Sequence, residues 1–218
     1  RDAITTQMDH NSFVYGDTCS SEVRTRLCAL MKELSPGDIN GFFFASGGAE
    51  ANESAFNIAR KFTGRPKIMS RYRSYHGGTP GALAATGDPR TWGVGSTQTG
   101  YVKMMDPFPF NWSWADDEEE AAAKCLGALH DQILYEGPHK IAGIILEMIT
   151  GANGWMRMNT TFMQGVRSLC DQYGIMLISD EVMQGFGRSG EMFGFQHYEG
   201  VLPDMYTFAK GVSAAYLP

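Results

Sequence analysis

The sequence predicts an α/β protein. Three observations carry the prediction. Short apolar runs alternate with segments of helical period, Gly- and Pro-rich turns separate them, and the residues able to do chemistry fall just past the ends of the apolar runs. No internal repeat and no long low-complexity tract breaks the alternation. With 43% hydrophobic and 19% charged residues among 218, the chain reads as folded and long enough to bury one large core or two small ones.

Residues 21–34 read as a first helix with Val23, Leu27, Leu30, Met31 and Leu34 on one face, stopped by Pro36-Gly37-Asp38. Phe42–Ala45 reads as a buried strand, Ser46-Gly47-Gly48 as a tight turn, and Ala49–Phe62 as a helix. Its inner face is Ala51, Ala55, Ile58, Ala59 and Phe62, with Gly64 as its stop. Lys67–Ser70 is a short strand. Residues 74–112, rich in Gly, Pro, Thr and aromatics, read as mostly irregular, the kind of long loop that usually serves function. Asp116–Glu120 opens a helix that reaches about Tyr135, its carboxylates complementing the helix dipole rather than forming an acidic binding patch. Ile141–Leu146 is a buried strand ending at Glu147. Thr160 caps a helix with Phe162, Met163, Val166, Leu169, Cys170 and Tyr173 inside, closed by Gly174. Ile175–Ser179 is a buried strand ending at Asp180, and a last strand over Met205–Ala209 runs into Lys210. The organisation expected is an N-terminal segment and helix over 1–40, leading into one large domain over 41–218.

A net charge of -6 argues against nucleic acid or an acidic membrane as the main partner. No apolar run approaches the roughly 20 residues of a membrane helix, and no basic-then-apolar leader opens the chain. Cys19, Cys28, Cys125 and Cys170 form no CxxC pair, which suits buried reduced thiols in a cytoplasmic protein. The five histidines are scattered, so no metal site is expected. Both ends read as cut: the chain opens at Arg1 without an initiator Met and stops at Pro218 inside a structured stretch.

The chemistry gathers at strand ends. At Ser46-Gly47-Gly48-Ala49, two glycines let the backbone approach a ligand, and the helix N-terminus behind them offers N–H donors to a phosphate; an ordinary strand-to-helix turn reads the same way. Asp180, at the end of an apolar strand, is costly unless paired, and a protonated ring nitrogen is one partner; a helix cap or a salt bridge is another. Lys210, between Ala209 and Gly211, is expected to be partly desolvated, which makes its amine a Schiff-base former; a solvated surface lysine is the plain alternative. His76, in Tyr75-His76-Gly77-Gly78, lies where an aromatic can stack on a ring, or is simply a loop histidine bonded to backbone. Gly185-Phe186-Gly187-Arg188-Ser189-Gly190 matches GxGxxG, but the residues after it lack a helical period, which argues against a dinucleotide fold.

Taken together, the segments resemble class III aminotransferases, the ω-amino-acid branch of fold-type I pyridoxal-phosphate enzymes. The matching stretches are Ser-Gly-Gly-Ala-Glu-Ala-Asn-Glu at 46–53, Tyr-His-Gly at 75–77 and Ile-Leu-Glu at 145–147. They continue with Asp-Glu-Val-Met-Gln-Gly-Phe-Gly-Arg-Ser-Gly at 180–190 and Pro-Asp-Met-Tyr-Thr-Phe-Ala-Lys-Gly at 203–211. The resemblance implies a large domain with a mostly parallel sheet flanked by helices, and a C-terminal small domain that lies beyond this chain. It implies pyridoxal 5'-phosphate as cofactor, with Lys210 and Asp180 catalytic. Lys210 would be the Schiff-base lysine and Asp180 would hold the ring nitrogen protonated. Val182 and Tyr75 would pack on the two ring faces, Gly48 and Ala49 would give backbone N–H groups to the phosphate, and His76 and Glu147 would lie at the cofactor. Two departures stand out: Gly47 and Ala49 replace the hydroxyl residues of the family's usual phosphate turn, and Met183 stands where many members have Gln.

By the same resemblance the partners are an amino donor and a 2-oxo acid, the enzyme is a homodimer sharing its active sites, and the small domain carries a carboxylate-binding Arg. The turn at 47–52 with Ser70–Gly77 looks most like taurine and β-alanine transaminases. Arg71 and Arg73 are then candidates for a sulfonate or carboxylate, or plain strand-flanking charges. Aromatics over Phe108–Trp114 are candidates for burial between subunits. Competing readings are another fold-type I enzyme, such as an aminomutase, racemase or decarboxylase, and a non-catalytic chain that kept the fold.

Overall fold

The structure, a computed structural model, describes residues 1–16, 19–94, 98–109 and 115–217. The chain divides into two compact units, Arg1–Phe42 and Phe43–Pro218. The first holds helices α1 (Asp2–His10) and α2 (Glu22–Leu34). Ser21 caps α2 by accepting from the Arg24 N–H at 3.3 Å. On α2, Met31 is buried but Val23 and Leu30, expected to face inward, are exposed.

The second unit is built on a five-stranded sheet, all parallel, in the order β2-β1-β3-β4-β5. Its strands are β1 (Lys67–Arg71), β2 (Tyr101–Met104), β3 (Ile141–Leu146), β4 (Met176–Asp180) and β5 (Met205–Thr207). Helix α3 (Gly48–Thr63) precedes the sheet, and α4 (Pro80–Ala85), α5 (Glu118–Glu136) and α6 (Thr160–Tyr173) connect its first four strands. The α/β class expected from the alternating pattern, and the mostly parallel sheet that the resemblance implies, are therefore what the chain forms. Every residue of the apolar run Ile141–Leu146 is buried, as a central parallel strand covered on both faces requires. Strand order reverses between β1 and β3, and a ligand crevice belongs at the carboxyl ends of strands at such a switch point.

α3 buries Asn52, Ala55, Phe56 and Ala59, the i, i+3, i+4, i+7 stripe of an amphipathic helix. The stripe is rotated from the one expected: Phe56 joins Ile68, Ile145 and Ile178 in the core, while Ile58 and Phe62 are 46% and 78% exposed. Gly64 ends the helix in the left-handed region at φ 69°. In α5 the Asp117 side chain accepts from the Glu120 N–H at 2.8 Å, with Glu118, Glu119 and Glu120 in the first turn, so the acidic run does cap a helix. α6 is capped by Asn159, one residue before the Thr160 expected, and it packs on α5 where a Cβ on Gly165 would meet Leu126 at 2.5 Å.

Three other expectations fail. Residues 42–45 form no strand and Phe43 is 66% exposed; no described strand pairs with the run. The stretch 74–112 is not mostly irregular, because it contains α4 and β2. β5 ends at Thr207, so Lys210 lies on the turn beyond it. The Gly185–Gly190 stretch sits within successive turns rather than opening a helix, and it lays Phe186 against Phe193 and Phe208 with ring centroids 5.8 and 5.5 Å apart.

Of the four free cysteines, Cys125 and Cys170 are buried, and burial pushes both thiols up to about 12; Cys19 is exposed, against expectation. Among the described residues no helix is long and apolar enough to cross a membrane, and no group of three His, Cys, Asp or Glu side chains is placed to hold a metal. Phe108 is buried, and residues 110–114 of the aromatic stretch lie outside the described residues.

Candidate active site

A cavity of about 550 Å³ opens at the carboxyl ends of the strands, within the range of roughly 300–1,000 Å³ typical of small-molecule sites. One side is the N-terminus of α3, where Gly48 and Ala49 border it. First-turn N–H groups of a helix have no intrahelical partner and favour an anion. Gly48 has a packing reason as well: a Cβ there would meet Val182 Cγ2 at 2.9 Å. Gly77, at φ 135°, likewise lets its loop pass α3, since a Cβ would lie 2.4 Å from that of Ala49.

Asp180, at the end of β4, forms the floor and is 3% exposed. Its Oδ2 accepts from Asn52 Nδ2 at 2.9 Å and lies 2.8 Å from His76 Nδ1, and its Oδ1 accepts from the Val182 N–H at 3.1 Å. Asn52 is bonded in turn to the His76 carbonyl at 2.7 Å and accepts from Thr207 Oγ1 at 2.6 Å. One helix (α3), the loop carrying His76 and two strands (β4 and β5) are thus tied to one carboxylate. Three donors on Asp180 hold its orientation.

Tyr75 and Val182 both border the cavity. His76 borders it too, with its Nδ1 committed to Asp180. Glu147, past β3, accepts from the N–H groups of Tyr75 at 2.9 Å and Gly151 at 2.7 Å, joining two loops. Met183 also borders the cavity. The next residue, Gln184, turns away from it: Nε2 donates to the Asp180 carbonyl at 2.7 Å and Oε1 accepts from the Ile149 N–H at 2.6 Å.

Lys210 borders the cavity from the turn after β5, at φ 38°, a left-handed conformation that costs a non-glycine residue energy. In this chain it is exposed rather than desolvated. The structure also removes Arg71 from the substrate-binding candidates. It is fully buried, between Asp106 and Glu147 at 3.9 Å each, and burial lowers its pKa. Arg73 is 42% exposed and faces Asp106 at 3.5 Å.

The expected residues therefore meet in one cavity. Sequence reasoning gave no role to Asn52 and Thr207; a polar residue in the otherwise apolar stripe 52/55/56/59 was the available signal. Nor did it place Glu181, which accepts from Ser179 Oγ and from the N–H groups of Gly194 and Phe195, and whose carboxyl is pushed up to about 6 by burial.

A parallel sheet with a phosphate-suited helix N-terminus, a lysine and a buried carboxylate at its switch point defines the class: an enzyme built to hold a flat, anionic, ring-nitrogen cofactor. The comparisons make it particular. The family model for class-III aminotransferases matches residues 1–218, and the chain belongs to that family, whose members depend on pyridoxal phosphate. It is 41% identical over 212 residues to an uncharacterised aminotransferase, YhxA, of Bacillus subtilis, covering 94% of this chain and 46% of that one. It is 35% identical over 191 residues to a hypotaurine/taurine–pyruvate aminotransferase of Paracoccus denitrificans, covering 84% and 41%. Among solved structures, a taurine:2-oxoglutarate aminotransferase of Bifidobacterium kashiwanohense, in complex with pyridoxal phosphate and glutamate, superposes with a TM-score of 0.92 at 44% identity. That match covers all of this chain and 49% of that one. The fold is thus the large-domain fold of fold-type I transaminases, and the chain spans about half the length of the relatives it matches.

Proposed function

We propose that this chain provides the cofactor site of a transaminase that moves an amino group from an ω-amino acid or amine, of the taurine, β-alanine or 4-aminobutyrate type, to a 2-oxo acid such as pyruvate or 2-oxoglutarate. The observation that carries the proposal is the meeting of Lys210, Asp180 and the α3 N-terminus around one cavity. The residues fit pyridoxal phosphate: an amine for its carbonyl, a three-donor carboxylate for its ring nitrogen, backbone N–H groups for its phosphate, and Tyr75 and Val182 for its faces. When bound, that cofactor supplies an electron sink for a carbanion.

The chain's own residues do the rest. Lys210 Nζ would hold the cofactor at its carbonyl and would be the group that moves a proton. Asp180 would keep a proton on the ring nitrogen, and His76 and Asn52 hold Asp180. Glu147 fixes the backbone of Tyr75. Completeness of the site needs more than these residues, so we further propose a cytoplasmic homodimer and an inactive isolated segment 1–218. Taurine-type relatives support the donor class.

The test is a donor–acceptor assay on the whole protein with taurine, β-alanine and 4-aminobutyrate against pyruvate and 2-oxoglutarate, with absorbance of the bound cofactor followed on adding each donor. Spectral change with at least one ω-amino donor and production of the matching amino acid is expected. No response to any of the three, with turnover of an α-amino acid by racemisation or decarboxylation, would overturn the reading. Light scattering on the whole protein, and the same assay on residues 1–218, test the other two points.

A further inference from the structure

Tyr75 forms an aromatic wall of the cavity, and a device outside the cavity holds its ring. The guanidinium carbon of Arg90 lies 4.2 Å from the centre of the Tyr75 ring, well inside the range of a cation stacked on an aromatic face. Arg90 is not a loosely tethered surface charge. Its Nε and Nη2 donate to the two carboxylate oxygens of Asp88 at 2.7 and 2.9 Å, and its backbone N–H donates to Asp88 Oδ1 at 2.9 Å. Asp88 itself is 4% exposed. The segment is also laced to the tyrosine's own loop: the Gly87 N–H donates to the Ser74 carbonyl and the Arg73 N–H to the Gly87 carbonyl, both at 2.9 Å. Arg90 lies outside the ring of residues that border the cavity, whereas Tyr75 borders it. Arg90 covers one face of the ring, which leaves the other face for a stacked ligand.

We propose that Arg90 is a positioning residue: clamped by Asp88, it backs the Tyr75 ring and fixes the plane against which a flat cofactor stacks. Glu147 fixes the backbone of Tyr75, but a bonded backbone N–H leaves the ring free to turn about two side-chain bonds. A planar fork held bidentately restricts that turn in a way a lysine ammonium does not. The cofactor half of the proposal rests on the pyridoxal-phosphate reading above; the Arg90–Tyr75 stack does not.

Two measurements separate them. In the cofactor-free protein, nitration by tetranitromethane is followed at Tyr75 by peptide mass spectrometry. Tyr173 on α6, bonded to His130 at 2.8 Å, serves as reference. R90A should raise the Tyr75 rate several-fold and leave Tyr173 unchanged. R90K, which keeps the charge but not the planar fork, should also raise it. An unchanged Tyr75 rate in both variants, or an equal rise at Tyr173, overturns the proposal. Titration with pyridoxal phosphate is then run with R90A in two backgrounds, Tyr75 and Y75L. Affinity should fall about two- to fivefold with the tyrosine present, the range of an exposed cation–π contact, and not at all without it. Equal loss in both backgrounds would show that Arg90 acts on the fold rather than through the ring. A protein that shows the nitration effect yet takes up no pyridoxal phosphate supports the stack and refutes the functional reading.

Discussion

Replacing Asn52 with alanine removes a side chain that makes three buried hydrogen bonds: to the His76 carbonyl, to Asp180 Oδ2 and from Thr207 Oγ1. Asp180 keeps two of its donors, His76 Nδ1 and the Val182 N–H. The His76 carbonyl and the Thr207 hydroxyl lose their bonds to Asn52, and each stranded buried group costs about 1–3 kcal/mol. Adding the lost charge-assisted bond to Asp180, and allowing for water entering from the cavity, the loss should be about 3–5 kcal/mol, a large share of the 5–15 kcal/mol of a typical domain. Thr207→Val leaves Asn52 Oδ1 unpaired and should cost about 1–3 kcal/mol. Because the two side chains meet, the double variant should lose less than the sum of the single losses by at least about 1 kcal/mol. Urea unfolding followed by far-ultraviolet circular dichroism measures all three. A loss below about 1 kcal/mol for N52A, or strict additivity with T207V, would show that the network does not bind α3 to β5.

Three further outcomes follow. K210A should abolish the borohydride-trappable cofactor adduct and lower turnover by about 10³-fold or more, and a variant still labelled at another lysine would displace Lys210. D180N should retain the cofactor while turnover falls far more than affinity, and equal activity would remove Asp180 from its role. The Glu181 carboxyl is raised by burial from 4.5 to about 6, so the folded state binds its proton more tightly than the unfolded chain. Its stabilising contribution, about 2 kcal/mol, is full below pH 4.5 and lost as pH rises through 6; the stability difference between wild type and E181Q should change by that amount across the window, and a flat difference would refute it.

The parts of the fold legible in the sequence were those where local pattern and tertiary environment agree. Ile141–Leu146 is apolar without interruption because both its faces are covered, and Asp180 was readable because a carboxylate ending such a run needs a partner. The face of α3 was misread because Ile58 and Phe62 are large and apolar while Asn52 is not. Which stripe turns inward is decided by Phe56 and the Asn52–Asp180 bond, and that bond joins residues 128 positions apart. Residues 42–45 have strand composition but pair with no described strand, and ladder partners cannot be read from one run. α4 and β2 hid in a Gly- and Pro-rich stretch whose packing is set by α3 and β1. The desolvation expected of Lys210 was read from its sequence neighbours, whereas cover is set by segments distant in sequence. Asp88 and Arg90 went unnoticed because an Asp two residues from an Arg is an ordinary surface pair until a ring lies beneath it.

The bonds around Asp180 also set an order of events during synthesis. His76, Asn52 and Thr207 reach their partners across 104, 128 and 155 residues. At roughly 5–20 residues per second, Thr207 leaves the ribosome about 8–30 s after Asn52 does. Through that interval α3 has its first turn made and its polar core residue unmatched, with Phe56 waiting for β3 and β4. Loop closures of this length come late on any pathway, since their entropy must be met before the contacts repay it. The nascent chain thus carries the apolar stripe of α3 incompletely covered until β3 and β4 have been made.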